Sequence, residues 1–210
     1  MKLTILASLI ILASLIRFGT NRSKKSYKQI NAEFWAREEA SNSVRKKSLD
    51  GLAYISVPVD ELPLHLMPGD STVCDYVETL RTLSEGKIVN LNGFSNTDLK
   101  LAYGTANLPI LSAFDDNYTS LITTLQRLAD TYYNNGYADA AKQLLEYALS
   151  VGSDISHSFS LLARIYDESG QQEKIVTLYE HAKALDTPFR PTIVRTLQES
   201  YPYVDLPRFE

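Results

Sequence analysis

Leu128-Ala129-Asp130-Thr131-Tyr132-Tyr133-Asn134-Asn135-Gly136 returns further along the chain as Leu162-Ala163-Arg164-Ile165-Tyr166-Asp167-Glu168-Ser169-Gly170. Both blocks read Leu-Ala-x-x-Tyr-x-x-x-Gly. The spacing from Leu128 to Leu162 falls among the periods that mark repeated supersecondary units stacked to share a core. Small Ala129 lets a second helix approach closely, Tyr132 fills a seam, and Gly136 can take the positive φ that ends a helix. The expectation from this stretch is an all-α fold built on helical hairpins.

Over residues 122–187 the chain resembles the tetratricopeptide repeat, whose unit is a helix hairpin of this same period with small residues where its helices cross. In the first unit Leu125, Leu128, Ala129 and Tyr132 match the first-helix positions, and Ala141, Leu145 and Ala148 the second-helix ones. The second unit offers Phe159, Leu162, Ala163, Tyr166, Gly170 and Ala182, with Ile175 and Tyr179 where alanine and a large apolar residue are usual. Thr187-Pro188 ends it, and Pro191 to Tyr201 reads as an amphipathic capping helix through Ile193, Val194 and Leu197. Two hairpins are fewer than stacking usually requires, so upstream helices must cover the first. Asn107-Leu108-Pro109 reads as an N-cap opening a helix through Ile110, Leu111 and Phe114, with the next helix starting near Asp116 or Asn117. The repeat domain is thus expected over 106–210.

Ahead of it, residues 48–105 predict an irregular middle. Leu52 to Val59 is β-prone, but Pro58, Pro63 and Pro68 exclude a central strand, so it reads as an extended arm laid over helices. Asp70 caps a helix through Val73, Tyr76, Val77 and Leu80 that stops near Gly86, and Ser95 to Tyr103 is a shorter one ended by Gly104. Residues 19–47 read as a basic stalk that includes a helix with Tyr27, Ile30 and Phe34 on one face.

Leu3 to Ile16 is uncharged, and nine of its residues are Leu or Ile. Counted over 1–18, a helix would span about 27 Å, enough for a marginal membrane anchor if Lys2 and Arg17 snorkel. A cleaved secretory signal is the competing expectation, although Leu15, Ile16, Arg17 and Phe18 make a poor cleavage site. Arg17, Arg22, Lys24 and Lys25 follow the run, so the positive-inside rule puts the remainder on the cytoplasmic side of a single-pass membrane protein.

Residues 17–47 hold nine Lys or Arg against three Glu, whereas everything from Ser48 onward holds 11 basic and 22 acidic residues. The basic segment suits anionic lipid, and the acidic remainder argues against nucleic acid as a partner. Cys74 is the only cysteine, which excludes an internal disulfide and a thiolate zinc site; its helix position beside Val73 and Val77 predicts a small buried hydrophobe. His65, His157 and His181 lie far apart with no metal-ligand spacing, and no nucleophile elbow or phosphate loop is present. Neither a cofactor, a metal nor a catalytic residue is therefore expected, and an enzyme on a helical scaffold is the least favoured class.

The repeat resemblance implies a concave surface made by the first helices of the hairpins. Its exposed positions would be Thr123, Gln126, Asp130, Tyr133 and Asn134 from the first unit, and His157, Ser160, Arg164, Asp167 and Glu168 from the second. Tyr133, aromatic and exposed by pattern, would be the hot spot. Phe34 to Lys47 and Ser95 to Gly104 are also similar to stretches of uncharacterised, singly anchored Gram-positive bacterial proteins that end in such repeats. The resemblance implies a membrane-tethered protein-binding adaptor or scaffold. A structural or assembly factor of a membrane complex, with self-packed repeats and no peptide site, is the alternative.

Overall fold

The computed structural model describes residues 30–206. The expected anchor over 1–18 and the first part of the basic stalk lie outside the described residues. Among the described residues all regular structure is helical, as expected, with a single isolated antiparallel bridge between Tyr54 and Val89. No described helix is long and apolar enough to cross a membrane.

The described residues divide into two compact units, 30–48 with 95–108 and 49–94 with 109–206. In the described part of the first, helix α1 (30–42) meets α3 (Asn96–Tyr103), which is followed by a short 3-10 turn, Thr105–Asn107. Lys100 Nζ reaches Glu38 at 2.9 Å, the Thr97 hydroxyl donates to the same carboxylate at 3.1 Å, and Arg37 pairs with Asp98. The Lys100 hydrogen bond holds the Glu38 carboxyl below the usual glutamate range. Ser95 caps α3 reciprocally, its hydroxyl accepting from the Asp98 amide while Asp98 accepts from the Ser95 amide.

The second unit opens with the arm. Ile55 donates its amide to the Ile88 carbonyl at 2.9 Å, and Val57, Leu62 and Leu64 are buried in the core. Two buried or half-buried tyrosines tie the arm down: Tyr147 donates to the Ser56 carbonyl at 3.1 Å and Tyr132 to the Pro63 carbonyl at 3.0 Å. Helix α2 (Ser71–Ser84) is capped by Asp70, whose side chain accepts from the Val73 amide. Its buried stripe is Val73, Leu80 and Leu83, which leaves Cys74, one residue round the helix, exposed. The expectation of a buried Cys74 is corrected accordingly.

Helix α4 (Leu108–Asn134) runs unbroken for 27 residues, so the expected helix boundary near Asp116 does not exist. Leu111, Tyr118, Leu121, Leu125, Leu128 and Tyr132 form one continuous buried stripe that holds it together. Asn107 is not its cap: the side-chain amide donates to the Lys47 and Tyr103 carbonyls instead.

Beyond α4 the helices keep the period of the sequence. Helix α5 (Ala138–Ser150) and α7 (Gln172–Ala184) start one repeat period apart and end one period apart. Helix α6 (Ser156–Glu168) ends one period after α4, and α8 (Arg190–Ser200) starts one period after α6. The turns repeat too. Gly136 (φ 84°) and Gly170 (φ 71°) donate to the Tyr133 and Asp167 carbonyls. Tyr137 and Gln171, the residues after them, donate back to Tyr132 and Tyr166, completing a Schellman ending that any side chain at the glycine would strain. Ala129, Ala141, Ala148, Ala163 and Ala182 are all fully buried, the sites where absent side chains let helices approach. Helix α6 packs against α5, α7 and α8, and α7 against α8.

Candidate functional site

The apolar stripe that buries Leu125, Leu128, Ala129 and Tyr132 leaves the other side of α4 facing outward, and the same holds at the equivalent positions of α6. The ten residues expected on a binding face lie here, and the structure gathers most of them into two clusters.

In the first cluster, Asp130 accepts from the Gln126 amide with one carboxylate oxygen and meets His157 Nε2 at 2.7 Å with the other. Asp130 and Gln126 are half-buried while His157 is exposed, so α4 and α6 are bridged by a polar pair open to solvent. Ser160, one turn further along α6, spends its hydroxyl on the Ser156 carbonyl at 3.2 Å. Thr123 is half-buried and Asn134 exposed.

The second cluster lies at the C-terminal ends of the two helices. Tyr133 donates to Glu168 at 2.7 Å beside Arg164; the Glu168 carboxylate, as its acceptor, holds the phenol above the usual tyrosine range. Tyr133 is thus a half-buried cross-brace between α4 and α6 as well as a surface aromatic.

A segment that the repeat pattern did not point to lies against this cluster. After α8 the chain turns at Tyr201-Pro202-Tyr203-Val204, burying Tyr201 and Val204 in the core. The Tyr203 hydroxyl hydrogen-bonds Asp167, which pushes its pKa up to about 12, and burial raises Tyr201 in the field of Asp167, Arg164, Glu168 and Tyr133. Tyr201 is thus packed at this end of the α4–α6 face, while Tyr203, 58% exposed, and Arg164 and Glu168 stay open to solvent, as does His157 at the other end. Alternating aromatic and apolar residues after a helix were the available signal.

On the opposite side, α5, α6 and α7 enclose a recess of about 410 Å3 floored by Leu149, Leu162, Tyr166 and Leu178 and rimmed by Glu146, Lys174 and His181. Its polar groups answer one another. Glu146 accepts from Tyr166 at 2.8 Å and from Lys174 at 3.3 Å, and Lys174 stands 5.1 Å from the Tyr166 ring centre. Burial, with Glu146 second, raises the Tyr166 phenol above its usual range. Glu146 and Lys174 thus pair across the rim of the recess.

Among the described residues no three His, Cys, Asp or Glu side chains gather where a metal ion could sit. The Cys74 thiol is 3.4 Å from the Pro68 carbonyl. Comparison with family models, with curated proteins and with solved structures finds no match to this chain.

Proposed function

We propose that this chain is a membrane-tethered, protein-binding adaptor or scaffold of the tetratricopeptide type, held at the cytoplasmic face by residues 1–18 and acting by binding rather than catalysis. The observation that carries this reading is the repeated register of the helices. Residues one period apart occupy equivalent places, so that α4 and α6 present a shared outer face with Gln126, Asp130, His157 and Ser160 at one end. Half-buried polar groups held in fixed positions on rigid helices suit recognition of a protein segment, because little side-chain entropy is lost when they are engaged. The carboxylate and the imidazole at this end favour a polar segment over a purely apolar one.

The membrane tether draws its support from sequence: an uncharged aliphatic run followed by Arg17, Arg22, Lys24 and Lys25. The test is comparative capture from native membranes by the full chain, with a Gln126→Ala/His157→Ala variant and a Gln143→Ala control on the exposed side of α5. Proteins recovered by wild type and control but lost with the wall variant support the proposal, and identical recovery by all three refutes it.

The burial of Tyr201 at the other end of the face favours a second reading, a self-packed structural or assembly factor with no peptide site. Under that reading the wall variant leaves the capture pattern unchanged, while Tyr201→Ala loosens the domain.

A further inference from the structure

Among the described residues, helix α1 is held at one end only. Its C-terminal half carries Arg37, Glu38 and Ser41, which engage α3 or the turn after it through the Asp98, Lys100 and Thr105 side chains. Its N-terminal half carries three large apolar side chains that no described neighbour covers: Ile30, Phe34 and Trp35 are 60%, 54% and 67% exposed. Phe34 and Trp35 meet edge to face at 5.4 Å between centroids, so they form one patch. At ~100° per residue, Phe34 and Trp35 lie about 40° and 140° round the helix from Ile30. Within that arc the sole charged group, Glu38, is neutralised by Lys100. Glu33 and Glu39 lie outside it. An exposed aromatic and aliphatic arc on a short helix is costly in water and marks a surface that something covers.

The chain itself indicates the cover. Eleven residues, 19–29, separate the aliphatic run from Ile30, and they contain Arg22, Lys24, Lys25 and Lys28 with no acidic residue. Even fully extended, that link spans at most about 40 Å, so the patch cannot leave the neighbourhood of the bilayer if the run is embedded there. Tyrosine and tryptophan favour the headgroup level, where an amphipathic ring keeps its polar edge wet. Cations beside them add attraction to anionic lipid.

We infer that α1 lies in the headgroup layer of an anionic bilayer, with Ile30, Phe34 and Trp35 inserted at the acyl boundary. This inference rests on the proposal that residues 1–18 anchor the chain. It gives the anchored protein a second, interfacial point of attachment, so that the stalk is a docked helix and not a free tether. The lipid chemistry it requires is a headgroup layer with net negative charge.

Trp35 is the only tryptophan, so the unmodified protein carries its own probe. The full chain is reconstituted into vesicles of phosphatidylcholine with phosphatidylglycerol, with and without bromine on the upper acyl carbons, and floated. Flotation together with blue-shifted emission and about twofold quenching by bromolipid is expected, since interfacial helices sit ~5–10 Å into the headgroup and acyl boundary. Quenching should diminish in phosphatidylcholine alone and in Ile30→Asn/Phe34→Ser, whose Trp35 should become accessible to iodide.

Flotation with a water-exposed, unquenched Trp35 overturns the inference and leaves the anchor standing. Blue-shifted emission without bromolipid quenching also overturns it, since protein and not lipid would then be the cover. Failure to float at all overturns the anchor, and the docking with it.

Discussion

Two buried tyrosines offer a paired substitution with opposite expected outcomes. Tyr132 is fully buried and donates to the Pro63 carbonyl at 3.0 Å. Tyr118 is 1% exposed, and no group among the described residues bonds its hydroxyl. Burial, with Asp154 and Asp115 nearby, pushes the Tyr118 phenol well above the usual tyrosine range. Removing the hydroxyl from Tyr132 orphans a buried acceptor and releases the arm, at a cost of about 1–2 kcal/mol. Removing it from Tyr118 deletes a buried polar atom that gains nothing from the fold, so Tyr118→Phe should be neutral or stabilising by up to ~1 kcal/mol. For a chain of this size ~1 kcal/mol moves Tm by roughly 2–4 °C. Thermal melts of the full chain in mild detergent, followed by helical circular dichroism, should therefore show Tyr132→Phe roughly 2–8 °C lower and Tyr118→Phe unchanged or higher. Equal losses in both variants would refute the reasoning, because the difference rests entirely on what each hydroxyl touches.

Other consequences are open to the same preparations. Gly152 ends α5 at φ 90°, and a Cβ there would stand 2.9 Å from Asn90 Nδ2. Gly152→Ala should accordingly cost more than ~1 kcal/mol in a urea titration, and an unchanged midpoint would contradict the turn geometry. In the first unit Glu38 is held low chiefly by Lys100, and Asp98 chiefly by the Ser95 hydroxyl. Their contribution, Glu38 to the α1–α3 contact and Asp98 chiefly to the cap of α3, is present above the usual carboxylate range and lost as pH falls through their lower folded values. The protection of the α3 amides, their exchange rate relative to the unstructured rate at the same pH, should therefore hold down to about pH 4 and fall below it, and a fall already near neutrality would exclude this source. Burial pushes Tyr147 up to about 12. Its contribution is complete below the unfolded tyrosine value of about 10 and drains as pH rises toward 12, so Tyr147→Phe should lose less stability than wild type over that window.

The hairpins were legible because each repeated residue has one mechanical task. Buried alanines mark helix crossings and Gly136 and Gly170 mark turns, and neither task tolerates much substitution. The unbroken α4 was not legible, because Asp115, Asp116 and Asn117 look like a cap. Asp115 accepts from the Leu91 amide at 3.1 Å and Asn117 donates to the Lys87 carbonyl at 3.0 Å, uses set by a loop distant in sequence. Cys74 misled for a related reason: adjacency to Val73 in sequence is about 100° of helix rotation, and the buried stripe is set by Val73, Leu80 and Leu83. The outer face of the hairpins could be located by pattern. The burial of Tyr201 at one end of it could not, since a tail's path depends on where the last helix ends and what lies beside it.

The claim on which the rest depends is that α4 and α6 stand side by side as one wall, and the Tyr133–Glu168 hydrogen bond at 2.7 Å crosses that line. A double-mutant cycle with Tyr133→Phe, Glu168→Ala and the pair, measured by urea unfolding of the full chain, tests it most directly. Side-by-side helices predict a coupling of at least about 0.5 kcal/mol. Strict additivity of the two single effects would mean that the two residues do not meet, and would contradict the wall.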